Sequence, residues 1–338
     1  LNMKKNLFLF GTALCFLHIV YAQQSVVVLP KKTYAVKEIC KTAWDSPKGL
    51  SYKKVAGANL GVTSFEVMDK KRVAFLSDAV NEIVIAEKLN GNALSRFVVA
   101  ANPRDFVYDK NKFYVLCENA VFVYDEKGTL VKTISYRNSF VGVARITRYN
   151  NGTYLLLPSG NSVQIENAAG NQVTEAHKGW ITASGAFISG KLNGTNSYMV
   201  QVNVNGKNYE KVFTSNFKTA GVYVVGCTQN TVVLDVQTYV SESPIQVERH
   251  LISIELNVQG LGEITSDIKM LDCYYVLSNK DVAPADDGSV LNMVSAPQGV
   301  LLFSLTPSAD EKAPNYPTHL RTIKYHFNDH LLQTNEQK

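Results

Sequence analysis

A unit of about forty residues recurs through this chain, and no other feature restricts its fold so strongly. Each unit is a strand, a turn holding Asp, Asn or Gly, and a two-stranded hairpin. The best-defined copy runs from Pro103–Asp109 through Phe113–Cys117 and Val121–Asp125 to Gly128 and Leu130–Ile134. Four short strands are separated by three turns whose residues tolerate the tight or left-handed backbone of a hairpin.

The copy before it has Ser64–Met68, Arg72–Leu76, Asn81–Ala86 and Leu94–Val99, with Asn90 and Gly91 in a turn. The copy after it has Val143–Tyr149, a turn at Asn150–Gly152, Thr153–Leu157 and Val163–Ile165. Later copies are looser. They show a strand near Ala186, a hairpin from Tyr198 to Phe213 turning at Asn205 and Gly206, and Val222–Val225 before a hairpin from Thr231. The last has Tyr274–Leu277, a turn at Asp286–Gly288, Ser289–Met293 and Gly299–Leu305. Hairpins begin near 72, 112, 153, 197, 231 and 289, which gives six copies.

A small sheet with two apolar faces must be covered on both, and radial repetition does this while leaving only short edges. The expected fold is therefore all-β, a six-bladed β-propeller of four-stranded blades. Seven blades would result if residues 25–60 supplied a whole one. Charged residues make up only 19% of the chain, and Tyr, Phe and Val are plentiful, as packed strands require.

The pattern Pro103, Asp105, Phe106, Phe113–Leu116, Val121–Asp125 and Gly128 resembles the repeat of NHL-type and related six-bladed propellers of exported bacterial proteins. The resemblance is strongest in this copy. It implies architecture, because such propellers include binding platforms, sensors and a minority of enzymes.

The N-terminal residues predict export. Lys4 and Lys5 precede an apolar run from Leu7 to Val20, and Val20 and Ala22 offer the small side chains that a signal peptidase accepts. Cleavage is expected after Ala22. The run is shorter than the roughly 20 apolar residues that span a bilayer. Lipoprotein processing at Cys15 is disfavoured by Leu14 before it, where a small residue is needed. The expected plan is a leader over 1–22, an N-terminal segment over 23–60 leading into the first blade, a propeller over 61–327 and a tail over 328–338. The mature protein is expected in the periplasm, at the cell surface or in the medium, and not as a membrane-spanning chain.

The formal charge of +5 includes two leader lysines, leaving about +3 without long basic blocks, which argues against nucleic acid as a partner. Cys40, Cys117, Cys227 and Cys273 lie too far apart for a zinc or redox motif; Cys117, Cys227 and Cys273 sit in apolar strand-like runs and read as buried thiols, with one long-range disulfide as the alternative.

Catalytic signatures are sparse, and no residue is assigned a catalytic, cofactor-binding or metal-binding role. Some six-bladed propellers are lactonases that gather acidic and Asn side chains on a divalent metal in the central channel. Here Glu66, Asp105 and Asp272 come nearest to such a set, and structural roles suit them better. Asp286–Gly288 lacks the spaced oxygen ligands of a calcium loop and reads as a hairpin turn. Ser51 and Lys54 match a Ser-x-x-Lys spacing without the helix that motif needs. His319, His326 and His330 read as a solvated tail, and Trp180 as core or as a sugar-stacking platform.

The expected function is a non-catalytic binding module for an unidentified protein or small molecule, without a cofactor. A metal-dependent hydrolase or lactonase working in the channel is the alternative. Ring closure is expected from Leu320–Phe327, which alternates like an edge strand, with Ser25–Leu29 as the other candidate.

Overall fold

Short runs of β-branched and aromatic residues separated by residues that accept positive φ give this chain its hairpins. At three of them two successive residues are left-handed: Lys110 and Asn111 (φ 50° and 62°), Asn150 and Asn151 (46° and 64°), and Asn205 and Gly206 (51° and 76°). That is the backbone of a turn whose twist matches the strands it joins. The computed structural model describes residues 33–308, apart from 56–57, 137–141, 144, 229, 258, 272–274 and 286.

The chain opens with β1 (Thr33–Ala43) and a small hairpin of β2 (Lys53–Val55) and β3 (Ala58–Leu60). Blade 1 is β4 (Val62–Val67), β5 (Arg72–Ser77), β6 (Glu82–Glu87) and β7 (Ala93–Val98). Blade 2 is β8 (Asp105–Asp109), β9 (Lys112–Leu116), β10 (Ala120–Asp125) and β11 (Leu130–Ser135). Blade 3 is β12 (Arg145–Tyr149), β13 (Gly152–Leu156), β14 (Asn161–Glu166) and β15 (Gln172–Lys178). Blade 4 is β16 (Trp180–Ile181), β17 (Phe187–Leu192), β18 (Ser197–Val204) and β19 (Lys207–Thr214). Blade 5 is β20 (Thr219–Cys227), β21 (Thr231–Glu242), β22 (Ile245–Asn257) and β23 (Gly260–Lys269). The last strands are β24 (Val282–Pro284), β25 (Val290–Ala296) and β26 (Gly299–Ser308), and the sheet order β24-β25-β26-β1 completes blade 6. Every blade is antiparallel, and the whole is a six-bladed β-propeller.

The core is divided among the six interfaces between neighbouring blades. Blades 1 and 2 share Leu76, Ile83, Phe106, Phe113 and Val115, and blades 2 and 3 share Leu116, Val121, Leu155 and Val163. Blades 4 and 5 meet through Val200, Phe213, Leu234 and Ile254. Blades 5 and 6 meet through Val233, Leu251, Ile268 and Phe303, and blades 6 and 1 through Leu302, Met293, Phe65 and Phe75. The interface between blades 3 and 4 is thinner, with Tyr154, Leu156 and Ile181 buried and Trp180 and Phe187 packed against them. Its thinness follows from β16, which is only two residues long.

Three expectations change, and the seven-bladed alternative falls away. The ring is closed by β1, not by Leu320–Phe327: Thr33–Ala43 pairs with Ser308–Gly299 and occupies the free edge of β26. Leu320–Phe327 and Ser25–Leu29 lie outside the described residues. Because β1 joins blade 6 and β2–β3 is only a hairpin, the described part of residues 25–60 forms no seventh blade. In blade 4 the hairpin near 197 is the third and fourth strands, and the second strand, β17, begins at Phe187. In blade 6 the inner strand is Val282–Pro284 and not Tyr274–Leu277. The first is a failure of non-local pairing to show in local pattern. The others arise where the strands are short or the turns carry no Asn-Gly signal.

β1 also carries a bulge between Glu38 and Cys40. Strict alternation would put Val36 and Cys40 on one face. Instead Val36 and Tyr34 pack towards blade 5 while Ile39 and Cys40 pack towards blade 1. The extra residue reverses the face used by the residues after it, so Cys40 lands on the blade 1 side instead of the blade 5 side.

Candidate functional site

The inner strands of all six blades line a central cavity of about 600 Å³. Its wall carries more ionic chemistry than the sequence reading expected, and most of that chemistry joins one blade to another. Glu66 on β4 accepts a short hydrogen bond from Lys280, the residue shortly before β24, tying blade 1 to blade 6. Burial pushes the Glu66 carboxyl above the usual carboxylate range, and the Lys280 ammonium partly offsets this.

Asp105, at the first position of β8, is fully buried. It accepts from Ser64 Oγ at 2.6 Å and from the Ile146 amide at 3.1 Å, so one carboxylate links blades 1, 2 and 3. Arg145 Nε stands 3.9 Å from the same carboxylate. Arg148 donates to Asp109 at 3.1 Å, to Thr153 Oγ1 at 2.6 Å and to Glu166 at 3.1 Å, and its guanidinium lies 4.0 Å from the centre of the Tyr114 ring. Burial works against ionisation of Glu166, but Lys132, Thr153 and Arg148 together hold its carboxyl below the usual range.

Between blades 5 and 6, Arg249 bridges Asp235 at 2.6 Å and Asp281 at 2.7 Å. Burial raises the Asp235 carboxyl despite that arginine. Such buried pairs fix geometry more dependably than they add stability.

Glu66 and Asp105 therefore stand on neighbouring inner strands of the channel wall, each with partners of its own. Asp272 and Asp286 lie outside the described residues. Among the described residues, no group of three or more His, Cys, Asp or Glu side chains is placed to hold a metal ion. Asp287 accepts from the Ser289 amide and hydroxyl, and Gly288 N donates to Ala285 O, so this segment is the turn between β24 and β25. Ser51 donates to Glu82 at 2.5 Å and precedes a strand, not a helix, as Lys54 sits on β2.

Trp180 packs against the core between blades 3 and 4, its Nε1 donates to Leu157 O at 2.8 Å, and it also lines the cavity. Cys40, Cys117 and Cys227 are free and buried, and burial pushes the Cys117 and Cys227 thiols up to about 11. Cys273, His319, His326 and His330 lie outside the described residues.

Sequence reasoning missed Arg145, Arg148, Lys280 and Arg249. A usable signal existed for one of them: Arg145 opens its inner strand as Asp105 opens the one before, so aligning the blades would have paired the two.

No family model matches this chain, and no curated protein sequence does. Several solved structures resemble it in fold. Hydrazine synthase of Kuenenia stuttgartiensis has 14% identity, covering 69% of this chain and 74% of that one, with a TM-score of 0.45. A streptogramin B lyase has 12% identity, covering 81% and 98%, with a TM-score of 0.42. The WD40 domain of Neurospora crassa Pan2 has 8% identity, covering 83% and 98%, with a TM-score of 0.46. Among the described residues no helix is long and apolar enough to cross a membrane.

Proposed function

We propose that this protein is an exported propeller of NHL-like repeats that works as a non-catalytic binding module, with the central channel as its ligand site. One observation carries the reading: the carboxylates nearest to a metal-site pattern, Glu66 in the channel wall and the fully buried Asp105, are spent on ties between blades. The ties support a preformed cavity whose shape does not depend on a ligand, and pockets of this kind are where small molecules bind. Export, with cleavage after Ala22, follows from the leader alone and places the mature protein in the periplasm or at the cell surface.

Elemental analysis of the purified mature protein tests the non-catalytic reading. Substoichiometric divalent metal after dialysis is the expected result. A tightly bound divalent ion at one per chain would overturn it in favour of a metal-dependent hydrolase. N-terminal sequencing should find Gln23 first, and an intact leader or an acylated Cys15 would remove export by this route.

A further inference from the structure

The ties between blades leave one arginine side chain of the channel without hydrogen bonds among the described residues. Arg145 Nε is buried without a hydrogen-bond partner, and among the described residues no other nitrogen of its guanidinium makes a hydrogen bond. Its nearest carboxylate, Asp105, is 3.9 Å away, beyond hydrogen-bonding distance, and is already occupied by Ser64 and the Ile146 amide. The Arg145 side chain is only 15% exposed, and it forms part of the cavity wall. The enclosed Nε carries a desolvation cost that a bound oxyanion would offset, and the rest of the donor fork is free to join it.

The surrounding charge has the same sign. Lys110, Arg145, Arg148 and Lys280 line the cavity against the carboxylates of Glu66 and Asp109. Lys280 is held by Glu66, and Arg148 by Asp109 and Glu166, whereas among the described residues Lys110 donates to the neutral Asn151 amide oxygen alone. Asp105 counters the charge of Arg145 without accepting its N–H groups, so positive charge is left over at Lys110 and hydrogen-bonding capacity at Arg145, in an enclosure where Coulombic attraction is stronger than in open water. The Arg145 guanidinium lies over the Trp180 ring, 6.0 Å from its centre, within reach of a cation–π attraction that uses none of its N–H groups.

We infer that the channel takes a small molecule bearing a carboxylate or phosphate group, with that group held by Arg145 beside Trp180. This rests on the channel being a binding site, as proposed above. It names the ligand chemistry: an oxyanion, in a space that accepts a molecule of ordinary metabolite size.

Trp44 and Trp180 are the only tryptophans, so the Trp44→Phe variant makes Trp180 the sole indole reporter in the channel. Its emission is followed in titrations with benzoate, with benzamide as the uncharged isostere, and with inorganic phosphate, all at constant ionic strength. A saturable change with benzoate or phosphate is expected, at least tenfold weaker with benzamide and about tenfold or more weaker after Arg145→Gln, the loss typical of a charge-assisted contact. The stronger of the two anions identifies carboxylate or phosphate as the preferred group.

Absence of saturation with either anion would overturn the inference, as would equal responses to benzoate and benzamide. An unchanged response in a folded Arg145→Gln variant would do so too. If that variant does not fold, the comparison of benzoate with benzamide on protein retaining Arg145 still decides. Metal-free protein that ignores both anions sinks the oxyanion assignment alone, whereas stoichiometric metal sinks the reading beneath it.

Discussion

Blade 2 is written in one stretch of chain, Asp105–Ser135, whereas blade 6 joins Val282–Ser308 to Thr33–Ala43 from the other end of the described chain. In blade 2 every strand pairs with its sequence neighbour through a short turn. Blade 6 must bring β1 to β26 across the whole ring, and that single non-local pairing holds both ends of the ring in one sheet. Loop-closure entropy rises slowly, at about 0.6 kcal/mol per doubling of loop length, so distance is a modest cost. The difference teaches that blade stability and ring closure are separate problems, solved by local hairpins in one case and by a donated strand in the other.

Deleting Thr33–Ala43 tests the closure most severely. β1 supplies Val36 to one interface and Cys40 to the next, and its loss bares the edge of β26. Stability should fall by several kcal/mol, much of what a domain commonly has. Near-UV circular dichroism and melting should show a non-native or strongly destabilised protein. Thr33 faces Ser308 across the antiparallel pair, so moving Thr33–Ala43 to follow Ser308 through an Asn-Gly turn should restore cooperative melting. A permuted chain that stays unfolded would mean that connectivity, not contact, closes the ring.

The next effect in size compares the cores. Phe113 of blade 2 and Phe303 of blade 6 are both essentially fully buried. Each changed to Ala should cost about 3–5 kcal/mol, read from denaturant midpoints. Phe113 also packs in an aromatic group with Phe97, Phe106 and Tyr108 at centroid distances of 5.0–6.1 Å, so its loss should fall at the upper end. If Phe303→Ala costs much more, the donated strand makes blade 6 the more brittle of the two.

The smallest effects come from turns. Gly128 and Gly288 both have φ of 82°. A Cβ at Gly288 would meet nothing, so Gly288→Val should cost only its backbone strain, about 1–2 kcal/mol. At Gly128 a Cβ would stand 2.4 Å from Phe97 Cβ, and Gly128→Val should therefore lower the melting temperature further. Equal shifts would mean that the contact between blades 1 and 2 yields at that corner.

How far each level was legible follows the same division. The strands of blades 1 to 3 could be read from alternation and from Asn, Asp and Gly at the turns, because a hairpin is specified within some fifteen residues. Blade 4 was misaligned because β16 offers only Trp180 and Ile181 as pattern, and the inner strand of blade 6 is a three-residue segment ending in Pro284. Glu66 and Asp105 were visible as acidic residues on inner strands, and their partners Lys280, Ser64 and the Ile146 amide were not.

By itself the sequence determined an all-β chain of six repeated units, the turn positions, and the need for each blade to be covered on both faces. Those are local matters of period, backbone freedom and apolar content. Only the tertiary structure decided that β1 closes the ring, that a bulge after Glu38 turns Cys40 towards blade 1, and that Arg145 Nε is buried at the channel without a hydrogen-bond partner. Each of these depends on which distant residues share a neighbourhood, and pairwise distances across a ring leave no trace in the spacing of residues along a chain.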